Sequence, residues 1–411
     1  GGQTSAESYL SIDKIVKAVK KTNSDAVHPG YGFLSENVNL RDEINKIGKV
    51  FIGPPSEAIA SMGDKIQSKK IAKTAGVNLV PGGLDTIDGL DSAIKEAKKI
   101  GFPVMIKASA GGGGKGMRVA FDEKELKENF NSAINEAKAS FGDDRVFIEK
   151  FIEFPKHIEI QILGDQFGNF IHLGERECTI QRRHQKVIEE APSPFVDNTL
   201  RKKMVDQAIK LSKAVGYYSA GTVEFVVDKN KNFYFLEMNT RLQVEHPVTE
   251  LITNIDLVEQ MIRVAYGEKL NINQSSVSFN GSAIECRIYA EDSSRNFLPS
   301  IGRLTRYIEP SSKNIRIDSG VVEGSEISMF YDPMISKLCT FAKTRNLAIS
   351  EMINALDRYL IEGVQTNQNF LSNILQKNEF VKGNFSTAFI SENYAEGYHS
   401  NLANIQDYNE L

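Results

Sequence analysis

The stretch EMNTRLQVEHPVTE, residues 237–250, places three carboxylates, an Asn, a Gln, an Arg and a His within fourteen positions. It follows the apolar run FYFL, residues 233–236, which predicts a buried strand. Charged side chains are seldom buried unless they are paired or hold a metal. A strand that leads directly into such a cluster predicts a chemical site at its end.

A second strand, predicted for residues 222–228, precedes this one, and a turn at residues 229–232 joins the two into a hairpin. Side chains alternate between the two faces of a strand, so the hairpin can bring Glu224, Glu237 and Asn239 together. Two carboxylates and an amide oxygen are hard ligands that suit Mg²⁺ or Mn²⁺. The hairpin therefore predicts a metal site.

The spacing of the hairpin leaves a second interpretation open, in which the polar side chains form a solvated strand face. Alternation places Val226 on the face of Glu224, and Phe235 on the face of Glu237. Two apolar neighbours on one face favour partial burial and hence the metal. Spacing alone does not decide between the two interpretations.

The segment SAGGGGKG, residues 109–116, is a glycine-rich turn between two predicted strands, and the first strand ends at Lys107. Glycines let backbone N–H groups approach phosphate oxygens, and the flanking Lys107 and Lys115 favour an anion. The segment matches neither a Walker A motif nor a GxGxxG turn that opens a helix. It predicts a phosphate lid, and a flexible surface loop is the alternative.

Composition bounds the class of protein. The chain has 411 residues, 41% hydrophobic and 25% charged, with a net charge of −4. These values are typical of a globular protein of two or three domains and give no reason to expect nucleic acid or a membrane as a partner. The three cysteines, Cys178, Cys286 and Cys339, show no CxxC spacing, and we expect structural thiols in a reducing compartment.

The first 55 residues show the strand–helix–strand order of a parallel α/β sheet, for which an opening strand is missing. The chain starts with GGQTS and has no initiator Met, so we expect a piece of a longer protein.

Residues 56–75 predict one helix that ends at Gly76. Residues 157–163 alternate and predict a strand with one polar face. The basic side chains in the run QRRHQKVIEE, residues 181–190, could hold anions or form a neutral network with the acids around them, and taken alone the run predicts a solvated face.

Several motifs together are specific for one family. They are HPGYGFLSEN (28–37), MGDK (62–65), KASAGGGGKGMR (107–118), ERECTIQRRHQKVIEEAPS (175–193), GTVEF (221–225), FLEMNTRLQVEHPVTE (235–250) and ECRIYAED (285–292). Over nearly the whole chain, the sequence resembles the biotin carboxylase component of biotin-dependent carboxylases. Further segments look most like the α subunits of propionyl-CoA carboxylases, with acetyl-CoA, methylcrotonyl-CoA and pyruvate carboxylases as near neighbours.

The resemblance implies an ATP-grasp fold of the α/β (α+β) class. The implied division is an incomplete pre-ATP-grasp domain at residues 1–55, a linker helix at 56–79, a mobile lid at 80–152, a catalytic core at 153–275, a C-terminal biotin carboxylase domain at 276–395 and a tail at 396–411.

The resemblance also implies the reaction. Bicarbonate attacks the γ-phosphate of MgATP (or MnATP) to give carboxyphosphate, which yields CO₂ for N1 of biotin on a carrier domain. The implied partners are that carrier domain and a carboxyltransferase β subunit, in a homodimer or hetero-oligomer. The cytoplasm, or the mitochondrial matrix of a eukaryote, is the implied compartment.

Residue roles follow from the motifs. The residues implied to contact ATP are Lys65, Lys107, Gly111, Gly112, Gly113, Gly114, Met117, Glu149, Lys150, Ile152, His157, Gln181, His184, Lys186, Glu224 and Glu237. Glu224, Glu237 and Asn239 match the metal ligands. The implied bicarbonate pocket consists of Lys186, Arg241, Gln243, Val244 and Glu245.

Four of these side chains are implied to act in catalysis: Lys186, Arg241, Glu245 and Arg287. Glu245 matches the general base that deprotonates bicarbonate. Arg287 matches the residue that stabilises the enolate of biotin, with Tyr31 beside the biotin. No role is implied for His246 or Glu250.

Two departures from the family pattern leave other functions open. The opening strand with its glycine turn is absent, and so is the carrier motif, a Lys between two Met residues, so we expect biotin to be carried elsewhere. A catalytically silent ATP-binding fragment is one alternative. A ligase of the carbamoyl phosphate type is another, although the matched biotin-side residues argue against it.

Overall fold

The computed structural model describes residues 2–109 and 117–399. It begins with an α/β segment of four elements: α1 (Ile12–Thr22), β1 (Ala26–Val27), α2 (Val38–Lys46) and β2 (Val50–Phe51). The two strands pair in parallel, as the αβ order predicts. The apolar faces of α1 and α2 pack on this pair around Ile44, which is fully buried.

The predicted helix at residues 56–75 is two helices, α3 (Ser56–Gly63) and α4 (Lys65–Thr74). The break lies at Asp64, whose backbone is extended and whose carboxylate accepts hydrogen bonds from the backbone N–H groups of Ile66 and Gln67. Asp64 therefore caps a new helix and does not continue the first one. This cap fixes the position of Lys65, the first residue of α4.

A small antiparallel sheet follows, with two helices on one face. Its elements are α5 (Leu90–Ile100), β3 (Val104–Ala108), β4 (Met117–Ala120), α6 (Glu123–Phe141) and β5 (Val146–Lys150), and the strand order is β4-β3-β5. Val104, Ile106 and Ile148 point to the helices and are fully buried. The other face of the sheet carries Lys107 and Glu149, because side chains alternate along each strand.

The later part of the chain forms an eight-stranded sheet and several two-stranded pairs. The strands of this part are β6 (Lys156–Gly164), β7 (Phe170–Arg182), β8 (Gln185–Ala191), β9 (Ser219–Val227), β10 (Phe233–Asn239), β11 (Ser282–Tyr289), β12 (Glu291–Asp292), β13 (Leu298–Pro299), β14 (Gly302–Arg303), β15 (Arg306–Ile308), β16 (Ile315–Ser319), β17 (Glu326–Ile327), β18 (Met334–Ala342) and β19 (Leu360–Glu362). The remaining helices are α7 (Asn198–Ala214), α8 (His246–Thr253), α9 (Leu257–Ala265), α10 (Arg345–Arg358), α11 (Gln368–Gln376), α12 (Asn378–Val381) and α13 (Phe389–Asn393). The sheet order is β10-β9-β6-β7-β8-β11-β18-β16.

The predicted strand at residues 157–163 is present as β6, and its polar residues alternate with apolar ones as expected, although both faces are buried. Another prediction about this sheet is wrong. The charged run at residues 181–190, predicted as a solvated face, covers the end of β7 and most of β8, and Glu189 and Glu190 are almost completely buried there. Their charges are compensated by partners from distant parts of the chain, because Arg287 pairs with Glu189 and Arg345 pairs with Glu190.

The small sheet approaches the large one through the segment between α4 and α5. Leu79 forms a backbone bridge with Phe235 of β10, and Gly82 forms one with Glu149 of β5. A Cβ on Gly82 would lie 2.6 Å from the carbonyl oxygen of Ile148, so this close approach requires glycine. In the described residues, no helix is long and apolar enough to cross a membrane.

Candidate active site

A cavity of about 1010 Å³ lies between the small sheet and the large one. Ten of the residues predicted to bind ATP line it: Lys65, Lys107, Met117, Glu149, Lys150, Ile152, His157, Gln181, His184 and Glu237. The C-terminal segment around α13 forms a further wall. Gly111, Gly112, Gly113 and Gly114, the predicted phosphate lid, lie outside the described residues.

Glu149 lies at the centre of a cationic wall of this cavity. Its carboxylate forms ion pairs with Lys69 of α4 and with Lys107 of β3. Burial opposes ionisation, but the two ammonium groups outweigh burial and lower the pKa of Glu149 to about 2. Sequence reasoning missed Lys69, although its spacing of four from Lys65 puts both lysines on one helix face.

Four other residues predicted to contact the nucleotide lie at strand ends or in turns beside the cavity. Lys150 donates hydrogen bonds from Nζ to the carbonyl oxygens of Gly101 (3.0 Å) and Phe102 (2.8 Å). Ile152 lies two residues after the end of β5, and Met117 is the first residue of β4. His184 lies in the turn between β7 and β8, where burial lowers the pKa of its ring.

A row of three carboxylates crosses neighbouring strands of the large sheet. Glu237 of β10 lies opposite Glu224 of β9, and Glu224 lies opposite Glu159 of β6, which in turn lies opposite Arg176 of β7. Like charges directly opposite each other are unfavourable. The row therefore needs cations, and Arg176, whose Nε lies 2.5 Å from Glu159 Oε1, is one of them.

The hairpin brings Glu224 and Glu237 together in a different way from the alternation argument. Phe235 lies opposite Phe225, so Phe235 and Val226 are on opposite faces, and that part of the argument is wrong. A β-bulge between Phe235 and Glu237 shifts the register by one residue. The shift returns Glu237 to the face of Glu224.

Glu224 accepts hydrogen bonds from four side chains. His157 Nε2 lies 2.6 Å from Oε2, and Oε1 accepts from Lys186 Nζ (2.9 Å), Asn239 Nδ2 (2.8 Å) and Gln243 Nε2 (2.8 Å). Burial opposes ionisation, but Lys186 and His157 hold the pKa of Glu224 well below its usual range. Glu224 is therefore a fixed carboxylate. Gln181 donates from Nε2 to His157 Nδ1 (2.7 Å) and orients the ring.

Glu237 is the member of the row whose charge is least compensated. Among the described residues, no lysine or arginine nitrogen lies within 4.0 Å of its carboxylate. Burial and the neighbouring Glu224 raise the pKa of Glu237. A half-buried carboxylate with these properties at the cavity wall fits a divalent cation, and the oxygens of Glu224 and Asn239 beside it are of the hard type that Mg²⁺ prefers.

Glu245, within the stretch at residues 237–250, is fully buried and is held by two cations. Its Oε1 accepts a hydrogen bond from Lys186 Nζ (2.6 Å), and its Oε2 accepts one from Arg287 Nη2 (2.9 Å). Burial opposes ionisation, but Lys186, Arg287 and Arg176 outweigh it and lower the pKa of Glu245. Glu245 directly precedes α8, which the sequence analysis did not predict.

Arg241 and Gln243 extend from the end of β10 towards this carboxylate. Arg241 donates from Nη2 to Asn239 Oδ1 (2.8 Å) and from Nη1 to Gln243 Oε1 (3.0 Å). Its Nε donates to Glu36 Oε2 (2.9 Å), which lies within the HPGYGFLSEN motif. The sequence reasoning missed Glu36 as a partner of this predicted site residue.

Val244 and Tyr31 meet at a lysine that the sequence reasoning also missed. Lys337 of β18 donates from Nζ to the backbone carbonyl of Val244 (2.9 Å), and the same Nζ lies 5.6 Å from the centre of the Tyr31 ring. It also forms an ion pair with Asp318 (2.9 Å). Lys337 thus connects the loop before Glu245 to β18 and, through Asp318, to the edge strand β16.

Two further buried acids surround Arg287. Glu189 of β8 lies opposite Glu285 of β11, and Arg287 Nε donates to Glu189 Oε1 (2.6 Å). Burial, opposed by Arg287 and reinforced by the neighbouring acids, raises the pKa of Glu189 to about 8. Burial likewise raises the pKa of Glu285 to about 7, against the effect of Lys337. No residue-level signal distinguished these two acids in the charged sequence.

His246 and Glu250, which had no predicted role, lie on α8. Burial lowers the pKa of His246 to about 3, so its ring is neutral, and Nδ1 lies 2.9 Å from the carbonyl oxygen of Gln243. Glu250 accepts a hydrogen bond from Arg316 Nη1 (2.6 Å) and one from the N–H of Leu257 (2.7 Å). Both residues fix α8 and do not face the cavity.

Three family models match consecutive parts of the chain. They are described as "Biotin carboxylase, N-terminal domain" (residues 1–59), "Carbamoyl-phosphate synthase L chain, ATP binding domain" (64–273) and "Biotin carboxylase C-terminal domain" (285–392). A solved biotin carboxylase from Campylobacter jejuni has a TM-score of 0.91 and 48% identity, and covers 93% of this chain and 86% of that one. The predicted ATP-grasp fold is confirmed by these matches.

Curated relatives agree with the family models. Biotin carboxylase 1 of Bacillus subtilis is 48% identical over 95% of this chain and 87% of its own length. The chain belongs to the biotin carboxylase family. The propionyl-CoA carboxylase alpha chain of Ruegeria pomeroyi is 58% identical over 95% of this chain. The alignment spans 60% of that relative's length, and 57% of the length of the mitochondrial chain of Sus scrofa.

Proposed function

We propose that this chain is the ATP-dependent biotin carboxylase module of an acyl-CoA carboxylase, and that the acyl-CoA is propionyl-CoA. The observation that carries the proposal is the fixed carboxylate of Glu245 between Lys186 and Arg287, next to the row that ends at the cavity. The acceptor rests on the 58% identity to a propionyl-CoA carboxylase alpha chain. The six-part domain division given by the motifs is part of the proposal.

ATP would occupy the cavity, with its phosphates towards the lysines. Lys65 and Lys107 neutralise phosphate charge, while Glu149, Lys150, Ile152 and Met117 form the end that receives the base. His157, Gln181 and His184 line the side towards the large sheet. The glycine segment with Gly111, Gly112, Gly113 and Gly114 is proposed as the lid that excludes water.

Glu224, Glu237 and Asn239 would hold Mg²⁺ or Mn²⁺, which neutralises phosphate charge during transfer. Phosphoryl transfer depends mainly on position and charge compensation, and the hydrogen bonds that fix Glu224 would hold the cation in one position. Glu237, which forms no ion pair within 4.0 Å with a lysine or arginine among the described residues, supplies the second charge.

Bicarbonate would lie between Lys186, Arg241, Gln243, the backbone of Val244 and Glu245. Glu245 takes its proton, and the resulting carbonate dianion attacks the γ-phosphorus to form carboxyphosphate and ADP. Lys186 now contacts Glu245 at 2.6 Å. A shift of Lys186 towards the substrate removes one cation from Glu245. The pKa of Glu245 then rises, and Glu245 becomes a stronger base when bicarbonate is bound.

Biotin on a carrier domain would enter on the side of Tyr31 and Arg287. Carboxyphosphate releases CO₂ and phosphate, and the phosphate can accept the N1 proton of biotin while CO₂ forms the new bond to N1. Arg287 supplies a cation to the ureido oxygen, which stabilises the enolate form. The carboxyltransferase β subunit, in a homodimeric or hetero-oligomeric assembly, then uses the carboxybiotin. Cytoplasm or mitochondrial matrix is the proposed compartment, since relatives of both bacterial and mitochondrial origin match.

One assay tests the proposal. ADP release by the purified chain is measured with MgATP and bicarbonate, with and without free biotin. We expect biotin to stimulate ADP release. Nucleotide binding without turnover would instead indicate a silent ATP-binding fragment. Biotin-independent release that ammonia stimulates would contradict the carboxylase function and indicate a ligase of the carbamoyl phosphate type.

A further inference from the structure

Lys69 is a buried lysine in the wall of the cavity that none of the roles above uses. It lies on α4, one turn after Lys65, and its side chain is 8% exposed. Burial, opposed by Glu149, lowers its pKa to about 8, so the ammonium is charged at neutral pH. A buried ammonium is costly unless it has a specific partner, so its position needs an explanation.

The charges around Lys69 do not balance. Lys65, Lys69 and Lys107 line the same cavity, and both Lys69 and Lys107 form their ion pair with Glu149. One carboxylate therefore faces two ammonium groups. Glu237 attracts Lys65, which leaves one positive charge in excess at Glu149.

The two lysines contact Glu149 differently. Lys69 donates a hydrogen bond to Oε1, and its ammonium also lies 4.0 Å above the ring of Phe147. Lys107 lies 2.8 Å from Oε2, but Oε2 accepts no well-aligned hydrogen bond from the described residues. The side chain of Lys107 is also the more exposed of the two, at 17%. Lys69 is thus the fixed partner, and Lys107 is the one that can turn into the cavity.

We propose that Lys69 is the permanent counter-ion of Glu149 and thereby leaves Lys107 available to bind the phosphates of the nucleotide. The proposal rests on the function proposed above, because it requires ATP in this cavity. Without Lys69, Glu149 would be a buried carboxylate whose remaining cation is Lys107. Glu149 would then hold Lys107, and the nucleotide would have to compete with a buried ion pair. Lys69 is accordingly a positioning residue.

The test is a double-mutant cycle on nucleotide affinity, measured by calorimetry with MgADP and with MgATP. Lys69→Met should weaken both affinities about tenfold or more, the loss expected when a charge-assisted contact to phosphate is blocked. In the Glu149→Gln background, the same Lys69→Met change should alter affinity by less than about threefold, because no carboxylate remains to hold Lys107. Lys69→Arg should retain most of the affinity.

Lys70→Met is the matched control. Lys70 is the next residue on α4, is exposed, and pairs with Asp85 outside the cavity. It should bind nucleotide as the unmodified chain does.

Two outcomes would overturn the proposal. An equal loss of affinity in both backgrounds would mean that Lys69 contacts the nucleotide directly, and no loss in either would mean that it acts only in folding. If Lys69→Met does not fold, the comparison of Glu149→Gln with the double variant still decides, since a tenfold difference between them contradicts the proposal. Failure of the unmodified chain to bind nucleotide would instead count against the proposed function.

Discussion

Glu149 and Glu245 are both buried carboxylates with two cations each, but the cations are balanced differently. At Glu245, Lys186 is shared with Glu159 (2.6 Å) and Glu224 (2.9 Å), and Arg287 is shared with Glu189. At Glu149, among the described residues, neither Lys69 nor Lys107 has a second carboxylate within ion-pair distance.

The difference matches two kinds of chemistry. A network in which every cation has several acids fixes the carboxylate at one place, which is what a proton acceptor beside a reacting anion requires. A carboxylate with surplus cations leaves positive charge for an anionic ligand that arrives from outside. The end of the site around Glu149 is therefore suited to bind an anionic ligand, and the end around Glu245 is suited to hold a proton acceptor in one position.

The largest effect should come from Glu245→Gln, which removes the proton acceptor and keeps the shape. We expect biotin-dependent ADP release to fall by about 10²–10⁴-fold, the usual contribution of a general base. MgATP affinity should stay within about threefold, because Glu245 does not line the nucleotide cavity. Turnover kinetics and calorimetry measure the two quantities.

Glu259→Gln, an exposed acid on α9 that pairs with Arg263, is the control and should change neither quantity. Loss of MgATP affinity in Glu245→Gln would show that the two ends of the site are not independent, and would count against the role of Glu245 as base.

A smaller effect is expected for Arg287→Lys. Arg287 uses Nε for Glu189 and Nη2 for Glu245, and one ammonium group cannot reproduce this fork. Biotin-dependent turnover should fall about 10- to 100-fold, as expected for the loss of one hydrogen bond between charged groups. The slow ADP release without biotin should fall much less.

Arg345→Lys is the matched change, because Arg345 makes a similar fork to Glu190, the neighbour of Glu189 on β8. It should lower the unfolding temperature without lowering turnover. Equal losses of turnover in the two variants would mean that Arg287 acts only through stability.

The hairpin illustrates how far the sequence could predict the site. Alternation correctly suggested that Glu224 and Glu237 meet, but the regular pattern from Phe235 would have put Glu237 on the opposite face. The β-bulge that corrects the register depends on the packing of Phe235 against the core, where it joins Phe225. Such a shift has no local sequence signal, so alternation alone could not have shown it.

The charged run at residues 181–190 shows a second limit of prediction from local sequence. A local reading predicts a solvated surface, because most acids and bases of a single segment are exposed. Here the compensating charges come from residues far away in sequence, such as Arg287 for Glu189 and Arg345 for Glu190. Only family motifs identified the segment as part of a site, and they did not single out Lys69, Glu36 or Lys337.

The smallest effect, and the sharpest test of the charge balance, concerns Glu285. Its pKa is raised to about 7 in the folded chain, whereas an unfolded Glu titrates near 4.3. Between these values the folded chain keeps a proton that the unfolded chain has lost. The free energy of unfolding should therefore fall as pH rises through this window, by about 1.4 kcal/mol per pH unit for this group.

Glu285→Gln should remove that contribution, so its stability should decline less steeply than that of the unmodified chain between pH 5 and pH 7, as measured by urea unfolding. Glu123→Gln is the contrasting variant, because hydrogen bonds from Lys127 and Lys98 lower the pKa of Glu123 to about 2 and the group is ionised in both states above pH 5. It should leave the slope in this window unchanged. If both variants keep the original slope, Glu285 is ionised in the folded chain between pH 5 and pH 7. That result would contradict the raised pKa of Glu285.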